Sequence, residues 1–432
     1  MFNENKILNK LLGIGRKIIP RRVFKFAQPV YHWCLSMLGA VIYRFPSRSM
    51  KVIAVTGTKG KSTVVFMISK IFEEQGELVA AIGSLGFKIK DRTWPNILKM
   101  TLPGRLKLQK FLYRAKKAGC KYVVLEATSE GIAQNRLAGI DVDCAVFTNL
   151  HREHLESHGS FENYLAAKQK LFLKTKNKQI LNIGDPYFEK FANYQARTKI
   201  TFGKERGMIS LTNLGTKRTD LNLKLLGDFN EYNALAALSV AYAYNLDMDK
   251  AVESLNSIES IPGRMEIIRS DKGFDVIVDY AHTPDSLEAV YKNLKPRAKK
   301  LICVLGAAGG GRDKWKRPEF GKIAAQYCDE IILTNEDPFD ENPDSILEQI
   351  ESGFSKHQAP STKSQTSTKH QIPKYEKILD RKEAIRRALT AAEGSDIVII
   401  TGKGSETSIA VAGGKKIPWS DREVVQELLK LK

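Results

Sequence analysis

One stretch near the start of the chain, Val52-Ile-Ala-Val-Thr-Gly-Thr-Lys-Gly-Lys-Ser-Thr-Val64, limits what this chain can fold into more than any other. It passes from an apolar, β-branched strand through a glycine-bearing turn into a helix beginning at Lys61-Ser62-Thr63. That order makes a phosphate cradle. Backbone N–H groups and the positive end of a helix dipole meet a polyphosphate, and Lys61 adds a movable cation. Ser62 is placed to hold a magnesium ion bridging the outer phosphates. The spacing is Gly57-Thr58-Lys59-Gly60-Lys61-Ser62. The longer pattern G-x-x-x-x-G-K-[ST] is not met, because Val55 stands where its first glycine falls. An ordinary glycine turn is the bland alternative, and Lys-Ser-Thr directly after the second glycine argues against it.

Around this stretch, strands and helices alternate. Strands are predicted at 51–56, 121–126, 144–148 and 179–182, with helices at 61–75, 106–118 and 161–172. A weaker β-rich stretch, 199–226, precedes an alanine-rich helix at 230–244. After Pro262-Gly263-Arg264 a second alternation begins, with strands at 275–279, 301–305, 330–334 and 396–401 and helices at 286–294, 318–327 and 381–392. The expectation is an α/β protein whose parallel sheets are covered on both faces. A P-loop-type central domain over 51–262 is followed by a Rossmann-like domain over 263–432. Residues 355–373, rich in Ser, Thr, Lys, Gln and Pro, read as a mobile loop. Ligands of such sheets sit at the carboxyl ends of the strands, where Thr56, Glu126 and Thr148 fall.

Composition narrows the partners. The chain has 432 residues, 43% hydrophobic, enough for two or three packed domains. A net charge of +20 admits nucleic acid, an anionic membrane or a polyanionic substrate. No basic stripe interleaved with aromatics is present, so nucleic acid is not expected. The five cysteines lack metal-ligand spacing and read as reduced thiols of a cytoplasmic protein. Residues 1–50 are basic, then apolar. The run from Val30 to Phe45 is shorter than the roughly 20 residues a spanning helix needs, and no cleavage site for a signal peptide is visible. Packing against the next domain and peripheral contact with the inner membrane face through residues 1–45 both remain open.

Glu126 ends a buried-type strand at the edge carrying the phosphate loop, where a carboxylate can hold magnesium. His151, His154 and His158 lie within one short run. Zinc is rejected, since H-E-x-x-H is absent and no cysteine is near, which leaves one histidine on a hard cation or a surface loop with chance histidines.

The motifs in their order resemble those of the Mur ligases. Gly57-Thr-Lys-Gly-Lys-Ser-Thr63 is similar to their phosphate loop, and Glu126-Ala-Thr-Ser-Glu-Gly131 with Gln134 and Arg136 to their E-V-S-S-H-G…Q-x-R. Thr148-Asn-Leu-His-Arg-Glu-His154-Leu-Glu-Ser-His-Gly159 resembles T-N-L-S-R-D-H-L-D-Y-H-G, and Tyr164-Leu-Ala-Ala-Lys168 resembles Y-x-A-A-K. Leu226–Asn233, Pro262–Arg264, Val278–Asp285 and Thr401–Glu406 match further on. The nearest branch is the tripeptide synthetases, which add the third stem residue of peptidoglycan.

The resemblance implies ATP-dependent amide ligation through an acyl phosphate, by a monomer acting on a UDP-linked or lipid-linked muramyl peptide and an amino acid. It implies ATP contacts from Gly57, Thr58, Lys59, Gly60, Lys61, Ser62, Thr63, Asn230, Asn233, Arg264 and His282. It implies metal ligation by Ser62, Glu126, His154 and a carbamylated Lys168, with Lys61, His154 and Lys168 catalytic. Thr101, Thr128, Gln134 and Arg136 match positions that hold the muramyl substrate. Arg312, Asp337, Gly402 and Glu406 match positions around the incoming amino acid.

Three departures stand out. The D-N-P-R motif that selects meso-diaminopimelate is Glu336-Asp-Pro-Phe339 here, which points to lysine or another diamino acid whose ammonium meets Glu336 and Asp337. Glu130 and Glu153 replace a histidine and an aspartate. The usual N-terminal uridine-binding domain has no counterpart. The alternatives are a folylpolyglutamate or poly-γ-glutamate ligase, and a non-catalytic ATP-binding partner protein.

Overall fold

The structure is a computed structural model that describes residues 21–98, 100–104, 106–153, 155–354 and 373–430. The expected mobile loop falls almost wholly outside the described residues, as do residues 1–20 of the N-terminal segment. The chain forms two compact units, Met1–Leu223 with Phe229–Ile258, and Lys224–Asp228 with Glu259–Lys432.

The first unit is built on eight strands: β1 (Lys51–Thr56), β2 (Val79–Gly83), β3 (Gly86–Ile89), β4 (Arg92–Trp94), β5 (Tyr122–Glu126), β6 (Val142–Phe147), β7 (Lys178–Asn182) and β8 (Thr198–Phe202). They lie in the order β4-β3-β2-β5-β1-β6-β7-β8. From β2 to β8 neighbours are parallel, but β3 and β4 fold back antiparallel. The sheet is therefore mixed, because tight reversals after Gly83 and Ile89 leave no room for a crossover helix.

The helices of five residues or more in this unit are α1 (Arg21–Ile42), α2 (Lys61–Glu74), α3 (Leu106–Lys117), α4 (Ser129–Ala133), α5 (Phe161–Lys174), α6 (Phe229–Ala243) and α7 (Met248–Asn256). α2 lies over β1, β2 and β5, and α6 over β7 and β8. The apolar core contains Val52 and Ala54 of β1 with Phe111 and Leu112 of α3 and Phe172 of α5. The register pairs Val55 with Glu126 across β1 and β5, and Thr56 with Phe147 across β1 and β6, so the carboxyl ends of the three strands lie side by side.

α1 packs one face on α3, burying His32, Ser36 and Ala40. Gly139 permits the approach, since a Cβ there would lie 2.6 Å from that of Ala40. That face accords with packing, one of the two placements left open for this segment. The other face carries exposed Val30, Trp33, Val41 and Ile42. No described helix is long and apolar enough to cross a membrane.

The second unit has a six-stranded sheet: β9 (Glu266–Arg269), β10 (Asp275–Asp279), β11 (Leu301–Leu305), β12 (Glu330–Leu333), β13 (Lys374–Lys377) and β14 (Ile397–Thr401), ordered β13-β12-β11-β14-β10-β9. All neighbours are parallel except β9 against β10. α8 (Pro284–Leu294), α9 (Lys316–Tyr327) and α10 (Pro343–Glu351) share one core, and α11 (Arg381–Ala391) and α12 (Asp421–Leu429) share a second. A separate hairpin joins β15 (Ser408–Val411) and β16 (Lys415–Pro418).

Cys303 of β11 and Cys328, at the end of α9, are joined in a disulfide, with Cα atoms 6.2 Å apart. The expectation of five reduced thiols is thus corrected for this pair. A spacing of 25 residues carries no motif, and only the return of α9 along the sheet brings the two sulfurs together.

Candidate active site

The phosphate loop lies between β1 and α2. Gly60 adopts φ +79°, and no side chain caps the start of α2. That leaves the helix N-terminus as a set of N–H donors for an anion. Gly57 is required by close approach, because a Cβ there would lie 1.9 Å from Thr148 Oγ1. A Cβ on Gly60 would lie 2.2 Å from Asn233 Oδ1, so the buried amide of α6 rests against the loop. Asn233 in turn donates to Asn230 Oδ1 at 3.0 Å.

The segment after β6 pins this loop from below. Thr148 Oγ1 donates to the Lys59 carbonyl at 2.7 Å, and Asn149 Oδ1 accepts from Lys59 N–H at 2.8 Å. Thr58 Oγ1 accepts from His151 N–H at 2.9 Å and lies 2.9 Å from the Tyr164 hydroxyl. Lys61 folds back to donate to the Thr58 carbonyl at 2.8 Å.

Beside the loop, one carboxylate oxygen gathers three donors. Glu126 Oε2 accepts from Ser62 Oγ at 3.0 Å, Ser84 N–H at 3.0 Å and Ser84 Oγ at 3.1 Å. Ser62 and Ser84 hydroxyls are 2.6 Å apart. Sequence reasoning missed Ser84. It follows β2, which no motif marks, and only the β2–β5 pairing brings it to Glu126. Among the described residues no three His, Cys, Asp or Glu side chains converge as a metal-binding group. The oxygen set of two hydroxyls and a carboxylate suits a hard cation instead.

Lys168 of α5 is buried beneath the loop and donates to the Gly57 carbonyl at 2.7 Å. Burial, reinforced by the nearby charge of Lys61, holds its amine well below the usual lysine range. His158 meets Ser129 Oγ at 3.1 Å, and burial lowers its pKa, favouring the neutral ring. His154, expected as a metal ligand, lies outside the described residues.

The predicted muramyl-binding residues cluster around α4. Thr128 caps that helix by accepting from Gly131 N–H at 3.2 Å. Gln134 Oε1 accepts from Arg136 Nε at 3.0 Å and Nη2 at 2.6 Å, while Arg136 Nη1 donates to the Leu102 carbonyl at 2.8 Å. Thr101 is half-buried next to Leu102.

In the second unit the predicted residues form another cluster. The Arg264 guanidinium sits 4.6 Å over the Tyr280 ring, whose centroid is 4.5 Å from that of His282. The Tyr280 hydroxyl donates to Glu406 at 3.3 Å. Buried Lys403 donates to Asp337 at 2.8 Å and to Glu406 at 2.5 Å, and Asp337 also accepts from Ala410 N–H at 2.7 Å. Asp337, expected to meet a substrate ammonium, is thus already paired with a cation of this chain. Lys403 lies inside the Thr401–Glu406 stretch, but no role of its own is read from the sequence.

Glu336 is buried against Gly402, where a Cβ would lie 2.4 Å from its Oε2, and burial pushes its carboxyl up to about 7. The Phe339 ring covers Gly310, and Arg312 is exposed in the loop beyond.

A Mur ligase middle-domain family matches residues 55–241, and a Mur ligase, glutamate ligase domain matches residues 263–404. The chain belongs to the Mur ligase family. It is an ATP-dependent amide ligase, and the phosphate loop, Glu126 and Lys168 all fall within the matched middle domain.

A relative from Caldanaerobacter subterraneus subsp. tengcongensis is named UDP-N-acetylmuramoyl-L-alanyl-D-glutamate–2,6-diaminopimelate ligase. It is 36% identical over 410 residues, which cover 91% of this chain and 81% of the relative. A UDP-N-acetylmuramyl-tripeptide synthetase from Roseiflexus is 35% identical over 418 residues, covering 90% of this chain and 80% of its own. Among solved structures, a UDP-N-acetylmuramoyl-L-alanyl-D-glutamate–2,6-diaminopimelate ligase superposes with a TM-score of 0.59 at 28% identity, over 92% of this chain and 83% of that one. A Mycobacterium tuberculosis folylpolyglutamate synthase reaches 0.65 at 16% identity, over 86% and 92%, and shares the fold alone.

Proposed function

We propose that this Mur ligase adds a diamino acid to a muramyl dipeptide in peptidoglycan synthesis, through an acyl phosphate. The observation that carries the reading is the Ser62–Ser84–Glu126 cluster beside an uncapped helix N-terminus, with Lys168 buried below.

The loop N–H groups and Lys61 hold the outer phosphates of ATP. Ser62 and Glu126 hold one magnesium ion, and His154 with a modified Lys168 hold a second. Magnesium at these positions supplies charge neutralisation on the phosphates. Asn230, Asn233, Arg264 and His282 contact the nucleotide. Thr101, Thr128, Gln134 and Arg136 orient the dipeptide so that its carboxylate oxygen meets the γ-phosphorus as the bond to ADP breaks. The incoming amine then attacks the acyl carbon, loses a proton, and expels phosphate.

The depressed pKa of Lys168 leaves a share of the amine neutral. Its lone pair adds to carbon dioxide and releases a proton, giving a carbamate that turns a buried cation into a ligand.

Arg312 receives the α-carboxylate of the amino acid. With Asp337 and Glu406 held by Lys403, discrimination rests on Phe339, which offers no cation to a second carboxylate. Burying that carboxylate unpaired is costly, so lysine or a diamino acid with one carboxylate is preferred. The names of the relatives favour a second reading, 2,6-diaminopimelate. In both, the substrate carries UDP or a lipid, and the protein is a cytoplasmic monomer held peripherally at the inner membrane face through residues 1–45.

Phosphate release with UDP-MurNAc-dipeptide and separate amino acids is the test. Turnover with lysine well above that with meso-diaminopimelate supports the first reading. The reverse order establishes the second, and no amino-acid-dependent release with any muramyl substrate removes both.

A further inference from the structure

Two loops of the second unit carry residues assigned to the amino acid. Residues 308–313, between β11 and α9, hold Arg312, and residues 336–341, between β12 and α10, hold Phe339. Their backbones are pressed together. Gly309 N–H donates to the Asp337 carbonyl at 2.7 Å, and a Cβ on Gly309 would lie 2.2 Å from the Pro338 carbonyl oxygen. A Cβ on Gly310 would lie 2.6 Å from Phe339 Cγ.

Phe339 has a left-handed φ of +52°. A bulky aromatic residue stays there only where its surroundings over-determine it. Its N–H donates to the Ala410 carbonyl at 3.1 Å, and Asp340 Oδ1 accepts from Gly413 N–H at 2.8 Å, so the β15–β16 hairpin holds one side of this loop.

The other side is held by one buried side chain. Arg317, in the first turn of α9, is 1% exposed. Its Nη2 donates to the Ala308 carbonyl of the first loop at 3.0 Å. Its Nη1 donates to Glu341 Oε2 of the second loop at 3.0 Å and to Gln349 Oε1 of α10 at 2.9 Å. Glu341 reaches back, since its Oε1 accepts from Gly311 N–H at 3.4 Å. The Arg317 bond is the main cause holding the Glu341 carboxyl down at about 2. Lys314 also faces Glu341, at 3.2 Å, but is 59% exposed, so water screens that pair. A planar guanidinium fixes both the spacing and the direction of its acceptors, which an ammonium does not. Here those acceptors lie on both loops.

We propose that Arg317 and Glu341 are positioning residues for the amino-acid step. They cross-link the two loops, so that the carboxylate-gripping Arg312 and the discriminating Phe339 ring keep one spacing. The proposal rests on the reading above that these loops receive the amino acid.

The test is phosphate release by the full chain with ATP, UDP-MurNAc-dipeptide and either lysine or meso-diaminopimelate. Glu341→Gln keeps the shape of the side chain and removes its charge. The amino-acid KM rises about ten-fold or more, because misplacement by about 1 Å weakens a bound geometry steeply. The KM for ATP keeps its wild-type value. Lys314→Met, which removes only the exposed partner of the same carboxylate, changes neither constant. Glu341→Gln also leaves Arg317 buried without a counter-charge, which destabilises. The double variant Arg317→Met with Glu341→Gln removes that imbalance as well as the cross-link. Its melting temperature returns towards wild type while its amino-acid KM stays raised.

A double variant that regains both the melting temperature and the amino-acid KM of wild type shows a staple of the fold only, and overturns the proposal. An amino-acid KM unchanged in Glu341→Gln overturns it too, as does an equal rise in the KM for ATP, which marks general loosening. Trypsin cleavage after exposed Arg312, without substrates, separates the clamp from the functional reading. Cleavage is expected to quicken several-fold in Glu341→Gln and in the double variant. If the wild type releases no phosphate with either amino acid, the functional reading fails and cleavage alone decides the clamp, which an unchanged rate in both variants overturns.

Discussion

Two buried charged groups govern what single substitutions will do. The resemblance of Tyr164–Lys168 to a stretch that carries a metal-binding lysine marks Lys168 as a site residue, but its hydrogen bond to the Gly57 carbonyl beneath the phosphate loop is not legible in the sequence. We expect Lys168→Ala to abolish turnover, and short carboxylates such as acetate to restore part of it by standing in for the carbamate. Phosphate release with and without acetate checks this, and a variant as active as wild type without acetate defeats it. Glu336 was read as a partner for a substrate ammonium, whereas its carboxyl is buried and raised to about 7 from an unfolded value of 4.5. Between those values the folded chain holds a proton that the unfolded chain has lost, so stability falls as pH rises from 4.5 to about 7. The loss is at most about 3 kcal/mol. Glu336→Gln should therefore gain stability over wild type at pH 8 and not at pH 4.5, read from urea midpoints. Parallel pH curves for the two proteins contradict the burial argument. Ser84 escaped the sequence because it meets Glu126 only through the pairing of β2 with β5, and Lys403 because Asp337 follows a strand two places away in the sheet; neither arrangement leaves a local pattern.

At the scale of elements, strands with continuous buried β-branched residues were the most legible. β1, β10 and β11 fall at their predicted limits, and α2 and α3 end one residue early. The antiparallel β3–β4 addition, the β15–β16 hairpin and α12 were not anticipated, because they are short and their patterns are weak or mixed with charge. α12 is held by more than its apolar stripe of Val424 and Val425. Arg381, at the start of α11, grips Asp421, at the start of α12, through two bonds of 2.8 Å, with both side chains almost fully buried. Arg381 also donates to the Asn335 carbonyl at 3.0 Å, and Trp419 Nε1 to Asp421 at 2.8 Å. Asp421→Asn leaves a buried guanidinium uncompensated and should cost about 3–5 kcal/mol. Lys382 and Glu427 join the same two helices at 2.6 Å but are much more exposed, so Glu427→Gln should cost under about 1 kcal/mol. Denaturant titration of both variants decides it. Similar losses for the two contradict the view that the buried pair anchors α12.

The whole molecule is two compact units threaded by one chain that crosses between them more than once. Lys224–Asp228 belongs to the second unit, whereas α6 and α7, which follow it, belong to the first. Alternation of strand and helix revealed two α/β regions, but not this return, because a five-residue segment carries no periodicity of its own. The return decides which pieces of the chain can fold alone. A cut after Leu223 strands α6 and α7 on the wrong piece and exposes the buried apolar residues of α6, among them Leu235, Leu238 and Val240. A piece beginning at Glu259 instead keeps all six strands of the second sheet and both of its cores. It loses Lys224–Asp228, of which, among the described residues, Leu226 alone packs, partly buried, against the first of those cores, together with the exposed Lys224–Glu259 pair. Losing one partly buried leucine costs roughly 1–3 kcal/mol, a fraction of the 5–15 kcal/mol typical of a domain. The 259–432 fragment should therefore fold alone, with a single cooperative urea transition at a lower midpoint than the same unit in the full chain. A fragment comprising residues 1–223 should not. A 259–432 fragment without a cooperative transition would show that the second unit depends on the first for its folding.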